Sequence, residues 1–264
     1  MRIVARVFGD TPLLARRGLR VDDPALMHVR WIPGTRAGLA ILVLAFASFI
    51  SLGMLAARAF LFHEVKFGFL PWNLLLAWIP LLAALPIYLL RRRDSRRWLL
   101  LGGCALVWFF FYPNAPYLIT DLVHLKTREP VPRWFDLILM MSFAWNGLSL
   151  GYLSLYLLQE VVRNWLGPMI AWQFAIVMLA LGSFGVFVGR FWRWNSWEIL
   201  TPLGLAGKAL DKMQGMSGRE MAAFCVMFFA FSLLIYLTLY ALTHLHSRPT
   251  PAPMADPSEP LAVK

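Results

Sequence analysis

Six apolar runs, at about 37–60, 68–90, 98–119, 134–158, 168–189 and 221–243, dominate the chain. Each is long enough to cross a hydrocarbon core of about 30 Å, which takes roughly 20 residues at helical rise. Lipid offers no hydrogen bonds to peptide groups, so each run must satisfy its own backbone as a helix. Composition agrees: 59% of residues are hydrophobic and only 15% charged, with a mean hydropathy of +0.63, whereas soluble domains carry about 25% charged residues. The expected fold is therefore all-α, a polytopic transmembrane helical bundle of about six spans. Residues 1–36 form a basic N-terminal arm, 37–246 the transmembrane domain, and 247–264 a Pro-rich disordered tail.

The formal charge of +11 could suggest nucleic acid, but the basic residues sit beside apolar runs and form no continuous stripe. Topology and anionic lipid explain them better, and no nucleic-acid partner is expected. Lys and Arg are more numerous in the segments that share a side with both termini, above all in RRRDSRR, Arg91 to Arg97. By the positive-inside rule both termini are cytoplasmic, and the Arg91–Arg97 loop faces anionic headgroups. The first run contains Ala57-Arg58-Ala59, a small-x-small mimic of a cleavage site. It follows a leader of 36 residues and exceeds the 7–15 residues of a typical signal core, so it reads as a retained helix. The N-terminal arm alternates apolar and basic positions, which suits a surface-lying helix or a disordered arm. Cys104 and Cys225 lie inside apolar runs, with no disulfide framework and no Cys/His metal spacing. No internal repeat is evident, which disfavours transporter folds built from inverted halves.

Two polar segments interrupt this pattern, PNAPYLITDLVH from Pro113 to His124 and GRFWRWNSWE from Gly189 to Glu198. Counting spans puts both on the same side, the outer one if the termini are inside. In the first, Pro113 and Pro116 each remove a backbone donor and predict unwinding of the third span around Asn114, which could satisfy some of the freed backbone. If the helix resumes, Tyr117, Asp121, His124 and Arg128 follow on one face. Asp121 and His124 could then act as a base and its orienting partner, or as two ligands of a metal. The plainer alternative is a helix end at the interface, with both groups hydrated and Tyr117 in the aromatic belt.

In the second segment, Arg190 and Arg193 lie among Phe191, Trp192, Trp194 and Trp197, a mixture suited to the headgroup zone, and arginine favours bidentate contact with phosphate or carboxylate. Asn195 and Glu198 have capping-box spacing, a structural role that explains both.

Together the two segments resemble the bacterial integral-membrane family catalogued as domain of unknown function 1361. Its members carry an Asn-Ala-Pro-Tyr segment with a following Thr-Asp pair, and a later Arg-Trp-Asn-Ser-Trp-acid segment. The resemblance covers the first span through the sixth. It implies a bacterial cell (inner) membrane location and carries no established catalytic residue. Glu198 stands where aspartate is the more common acid, which lengthens the arm and weakens a strict metal geometry there.

Further expectations concern single positions. His63, Glu64 and Asp136 share the outer loops with both segments. Asn146, with Ser142 and Ser149, could line an approach, while Gly147 and Gly151 read more plainly as a close-packing face. Pro80 and Pro86 suggest kinks in the second span, and Gln173 reads as an interhelical hydrogen bonder.

The leading functional expectation is action on a lipid headgroup or lipid-linked substrate. Asp121 and His124 would be the acid/base groups, with Asn114, Tyr117, Arg190, Arg193, Asn195 and Glu198 contacting substrate. The alternatives are a small transporter or channel component, with the proline break as gate or binding site, and a non-catalytic assembly subunit. Metal, cofactor and protein partners stay open.

Overall fold

A computed structural model describes residues 36–64, 66–89, 97–125, 131–192 and 217–244. The expectations for the N-terminal arm, the Arg91–Arg97 side chains, Arg128, Arg193, Asn195, Glu198 and the C-terminal tail lie outside these residues. The described elements are α1 (Arg36–Phe62), α2 (Phe69–Leu89), α3 (Arg97–Phe111), the single turn α4 (Asn114–Tyr117) and a 3-10 helix (Leu118–His124). They continue with α5 (Arg133–Leu166), α6 (Pro168–Phe187), a π-helical turn (Val188–Trp192) and α7 (Gly218–His244). Among the described residues, six helical segments are long and apolar enough to cross a membrane, the third made of α3, α4 and the 3-10 helix together. The molecule is a multi-pass helical bundle.

Helix α5 is its axis. At 34 residues it is about 51 Å long, well beyond a 30 Å core, and it packs against α1, α2, α4, the 3-10 helix and α6. Helix α7 leans on α6, and much of its apolar surface is exposed, as suits a helix in contact with lipid. Between α5 and α6 the chain reverses at Gly167, whose φ of 90° is strained for residues with a Cβ. Pro168 then starts α6, where a missing N–H costs nothing. Pro80 and Pro86 lie inside α2, which runs unbroken from Phe69 to Leu89.

The break in the third span is tighter than the proline spacing predicts. Pro113 keeps helical angles, φ −63° and ψ −22°, so the chain does not extend at Asn114. It tightens by one bond and then continues: Ala115 N–H donates to the Tyr112 carbonyl, three back, at 3.2 Å, and Tyr117 N–H to that of Pro113, four back as in an α-helix, at 3.1 Å. The Asn114 side-chain amide donates to the Phe111 carbonyl at 3.2 Å, taking on the backbone satisfaction expected of it. After Tyr117 the helix resumes as 3-10, in which residues three apart are aligned, so Asp121 and His124 share a face.

Glycines on two helices make room for the break. A Cβ at Gly147 of α5 would lie 2.5 Å from the Ala115 carbonyl oxygen, and one at Gly151 2.9 Å from the Ala115 Cβ. On α6, a Cβ at Gly182 would lie 2.7 Å from the Tyr112 ring and one at Gly185 2.5 Å from Pro113 Cγ. The close-packing reading of Gly147 and Gly151 holds. Gly182 and Gly185, three apart on the next helix, complete the slot.

Candidate functional site at one end of the bundle

Arg190 gathers the polar residues of the two segments. It projects from the π-helical turn that ends α6, a kind of insertion frequent at functional sites. Its Nη1 lies 3.5 Å from Asp121 Oδ1 and donates to the Tyr117 hydroxyl at 3.4 Å. Its Nη2 lies 3.2 Å from His124 Nε2. A guanidinium has no acceptor, so a hydrogen bond here requires Nε2 to accept, which is the tautomer with its proton on Nδ1. Asp121 is 2% exposed, and its other oxygen accepts from the Asn73 side chain at 2.9 Å. A buried carboxylate held by an amide and a guanidinium is compensated, which is what permits burial at all.

Asp121, His124, Tyr117 and Arg190 thus meet, although Arg190 and Asp121 are 69 positions apart by their numbers. Asn73 is the member that sequence reasoning missed. A lone asparagine near the start of an otherwise apolar span was the available signal. Asn114 lies on the neighbouring cavity wall and not in the Arg190 cluster.

A second charged group occupies the same end. Arg58, 0% exposed, is held by both oxygens of Asp136, with Nε to Oδ1 at 2.7 Å and Nη2 to Oδ2 at 3.3 Å. It also donates to the Glu64 backbone carbonyl at 3.0 Å and pairs with the Glu64 carboxylate at 3.3 Å. Glu64 in turn binds Lys66, and the Phe67 ring lies under the guanidinium at 4.8 Å. Glu64 and Asp136 therefore serve Arg58 rather than the Asp121 cluster, and His63 is exposed at φ 52°. The two groups are linked by rings, Phe67 against Phe69 at 6.0 Å and Phe69 against His124 at 5.3 Å. Arg58 is no interfacial flank residue; it clamps α1 to α5.

Other polar expectations resolve as packing. Asn146 is buried and donates to Ser51 Oγ at 2.9 Å, joining α5 to α1 rather than lining an approach. Gln173 is exposed; the interhelical glutamine is Gln159, which accepts from the Tyr236 hydroxyl.

Beside the Asp121 cluster, between α2, the break and α6, lies a cavity of about 630 Å³. Asn73, Asn114 and Tyr117 line its polar part, and Gly189 and Trp192, which flank Arg190, close that end. Its remaining wall includes Trp72, Phe110, Leu181 and Phe184, all substantially exposed on the outer surface of the bundle. The cavity is apolar towards the lipid and polar towards Arg190. No group of three or more His, Cys, Asp or Glu side chains comes together among the described residues.

Six apolar spans around a buried polar centre define the class: a multi-pass helical membrane protein. More particularly, the chain belongs to the family described as protein of unknown function DUF1361, whose profile matches residues 72–236. The match takes in the break, the 3-10 helix and Arg190, and begins within α2, so α1 and Arg58 fall outside it. No curated protein and no solved structure matches the chain.

Proposed function

We propose that the protein acts on a lipid headgroup or lipid-linked substrate at the outer face of a bacterial cell membrane. The observation that carries this reading is the two-sided cavity, with lipid-facing aromatic and leucine side chains at one end and, at the other, Asn73 and Tyr117, which bond Asp121 and Arg190 just behind the wall. Such a cavity suits an amphiphile entering sideways, its chains against Trp72 and Phe184 and its headgroup against Tyr117 and Arg190.

Arg190 holds an anionic group, since guanidinium matches phosphate or carboxylate. Anion binding there would compete with its contact to Asp121, leaving that carboxylate free to take a proton. His124, beside the Arg190 guanidinium, is the second proton-transfer group. Arg193, Asn195 and Glu198 are assigned to substrate contact from the sequence pattern alone. The outer orientation follows from the basic residues that share a side with the termini.

Complementation of a deletion strain tests the reading, with mass spectrometry of its membrane lipids as readout. Asp121→Asn and Arg190→Ala, each expressed and inserted at the normal level, are expected to leave the lipid profile of the deletion uncorrected. Full correction by either variant would sink the assignment.

A further inference from the structure

The polar site leaves unused a second set of buried groups, which runs from the cavity into the other half of the bundle. It starts at Tyr112, which lines the cavity and is 1% exposed, as are Tyr152 and Tyr236. The Tyr112 hydroxyl is buried with no hydrogen-bond partner among the described residues, within electrostatic reach of the Tyr152 and Tyr236 hydroxyls. Tyr152 of α5 and Tyr236 of α7 pack edge to face at 6.0 Å between centroids, and the Tyr152 hydroxyl too is buried without a hydrogen-bond partner among the described residues. Tyr236 donates to Gln159, itself 2% exposed, and has Tyr156, Tyr240 and Glu160 within electrostatic reach. Glu160 pairs with Arg163 at 2.6 Å through Oε2, while its Oε1 is buried without a partner among the described residues. Arg163 has 39% of its side chain exposed, and His244 closes the same end from α7, stacked on Tyr240.

Length makes this arrangement more than a set of packing contacts. Along α5, Tyr152 to Arg163 is about 16 Å, roughly half of a 30 Å core. The cavity reaches from Tyr112 to the Arg190 end, so cavity and track together cross the bilayer. A carboxylate such as Glu160 inside a membrane span is costly and points by default to a pathway or site. The groups are hydroxyls, which both donate and accept, followed by a carboxylate. The rings around them are in contact, Trp172 against Tyr240 at 4.8 Å. Orphaned buried hydroxyls in a polar seam are also where ordered water binds.

We infer that Tyr112, Tyr152, Tyr236 and Glu160 form a proton path between the cavity and the opposite membrane face. A proton enters at Glu160 or leaves from it, is passed along the tyrosine hydroxyls and intervening water, and is exchanged at the cavity; no other bond changes. This holds whatever the cavity binds.

The test uses the purified full chain in vesicles of neutral phospholipid, loaded with a pH-sensitive dye, with valinomycin and a potassium gradient setting the potential. Wild type is expected to dissipate a pH gradient faster than protein-free vesicles, and more slowly in heavy water. Tyr236→Phe and Glu160→Gln are expected to fall to the protein-free rate, while Ser48→Ala, which removes a hydroxyl bonded to the Leu44 carbonyl in α1, keeps the wild-type rate. A wild-type rate equal to protein-free vesicles overturns the inference, as does an unchanged rate in Tyr236→Phe or an equal flux of sodium. Tyr152→Phe stands in for any variant that fails to reconstitute, with the same outcomes deciding.

Discussion

Arg58 shows how much a single position can hide. In the sequence it is one cation among several at the end of an apolar run. In the fold it is fully buried, bidentate to Asp136 and bonded to Glu64. Removing one partner strands the other charge, so Arg58→Ala is expected to cost about 3–5 kcal/mol, and a joint Arg58→Met, Asp136→Leu exchange far less. Thermal unfolding in detergent across this double-mutant cycle checks it. Arg190 makes the complementary case, for its three contacts need the forked geometry of a guanidinium. Arg190→Lys is therefore expected to lose complementation as fully as Arg190→Ala, although charge is kept. Asp121, His124, Tyr117 and Arg190 were legible as candidates because each is a polar residue in or beside an apolar run. Asn73 and Arg58 meet the same description and were passed over; their partners, across 48 and 78 positions, leave no local trace.

At the scale of elements, the proline break and its glycine slot are one device. The prolines end α3, and Gly147, Gly151, Gly182 and Gly185 let the displaced chain sit directly against two helices. Gly147→Ala is expected to destabilise by about 1–3 kcal/mol through overpacking. Gly102→Ala, with nothing within 4 Å of the added carbon, is expected to be neutral or to stabilise by up to about 1 kcal/mol. Apparent melting temperatures of the two variants decide the point. The prolines predicted where the helix stops, but not how: they remove donors, and whether the chain then extends or tightens depends on what packs behind it. Here α5 and α6 approach so closely that only a compact turn fits.

For the whole molecule, the alternation of spans places Lys66, Leu125 and Ser217 at one end and Leu166 and His244 at the other. Single cysteines at these positions, in a background lacking Cys104 and Cys225, provide the test. An impermeant maleimide added outside intact cells is expected to label the first three and spare the last two. Reversed labelling would keep the shared site and move it to the inner face. Labelling split within the first three would contradict the six-span bundle itself.

By itself the sequence determined the solvent, the number of apolar spans, the break in the third span and the end of the bundle where polar side chains collect. Those properties follow from local facts: runs of apolar residues, missing proline donors and the parity of spans. Tertiary structure alone decided that Arg190 reaches Asp121, that Arg58 is buried and that the interhelical glutamine is Gln159 rather than Gln173. It also decided that a cavity opens beside the break. Each depends on the rotation of one helix against another, and helices this uniformly apolar carry little facial pattern from which that rotation could be read.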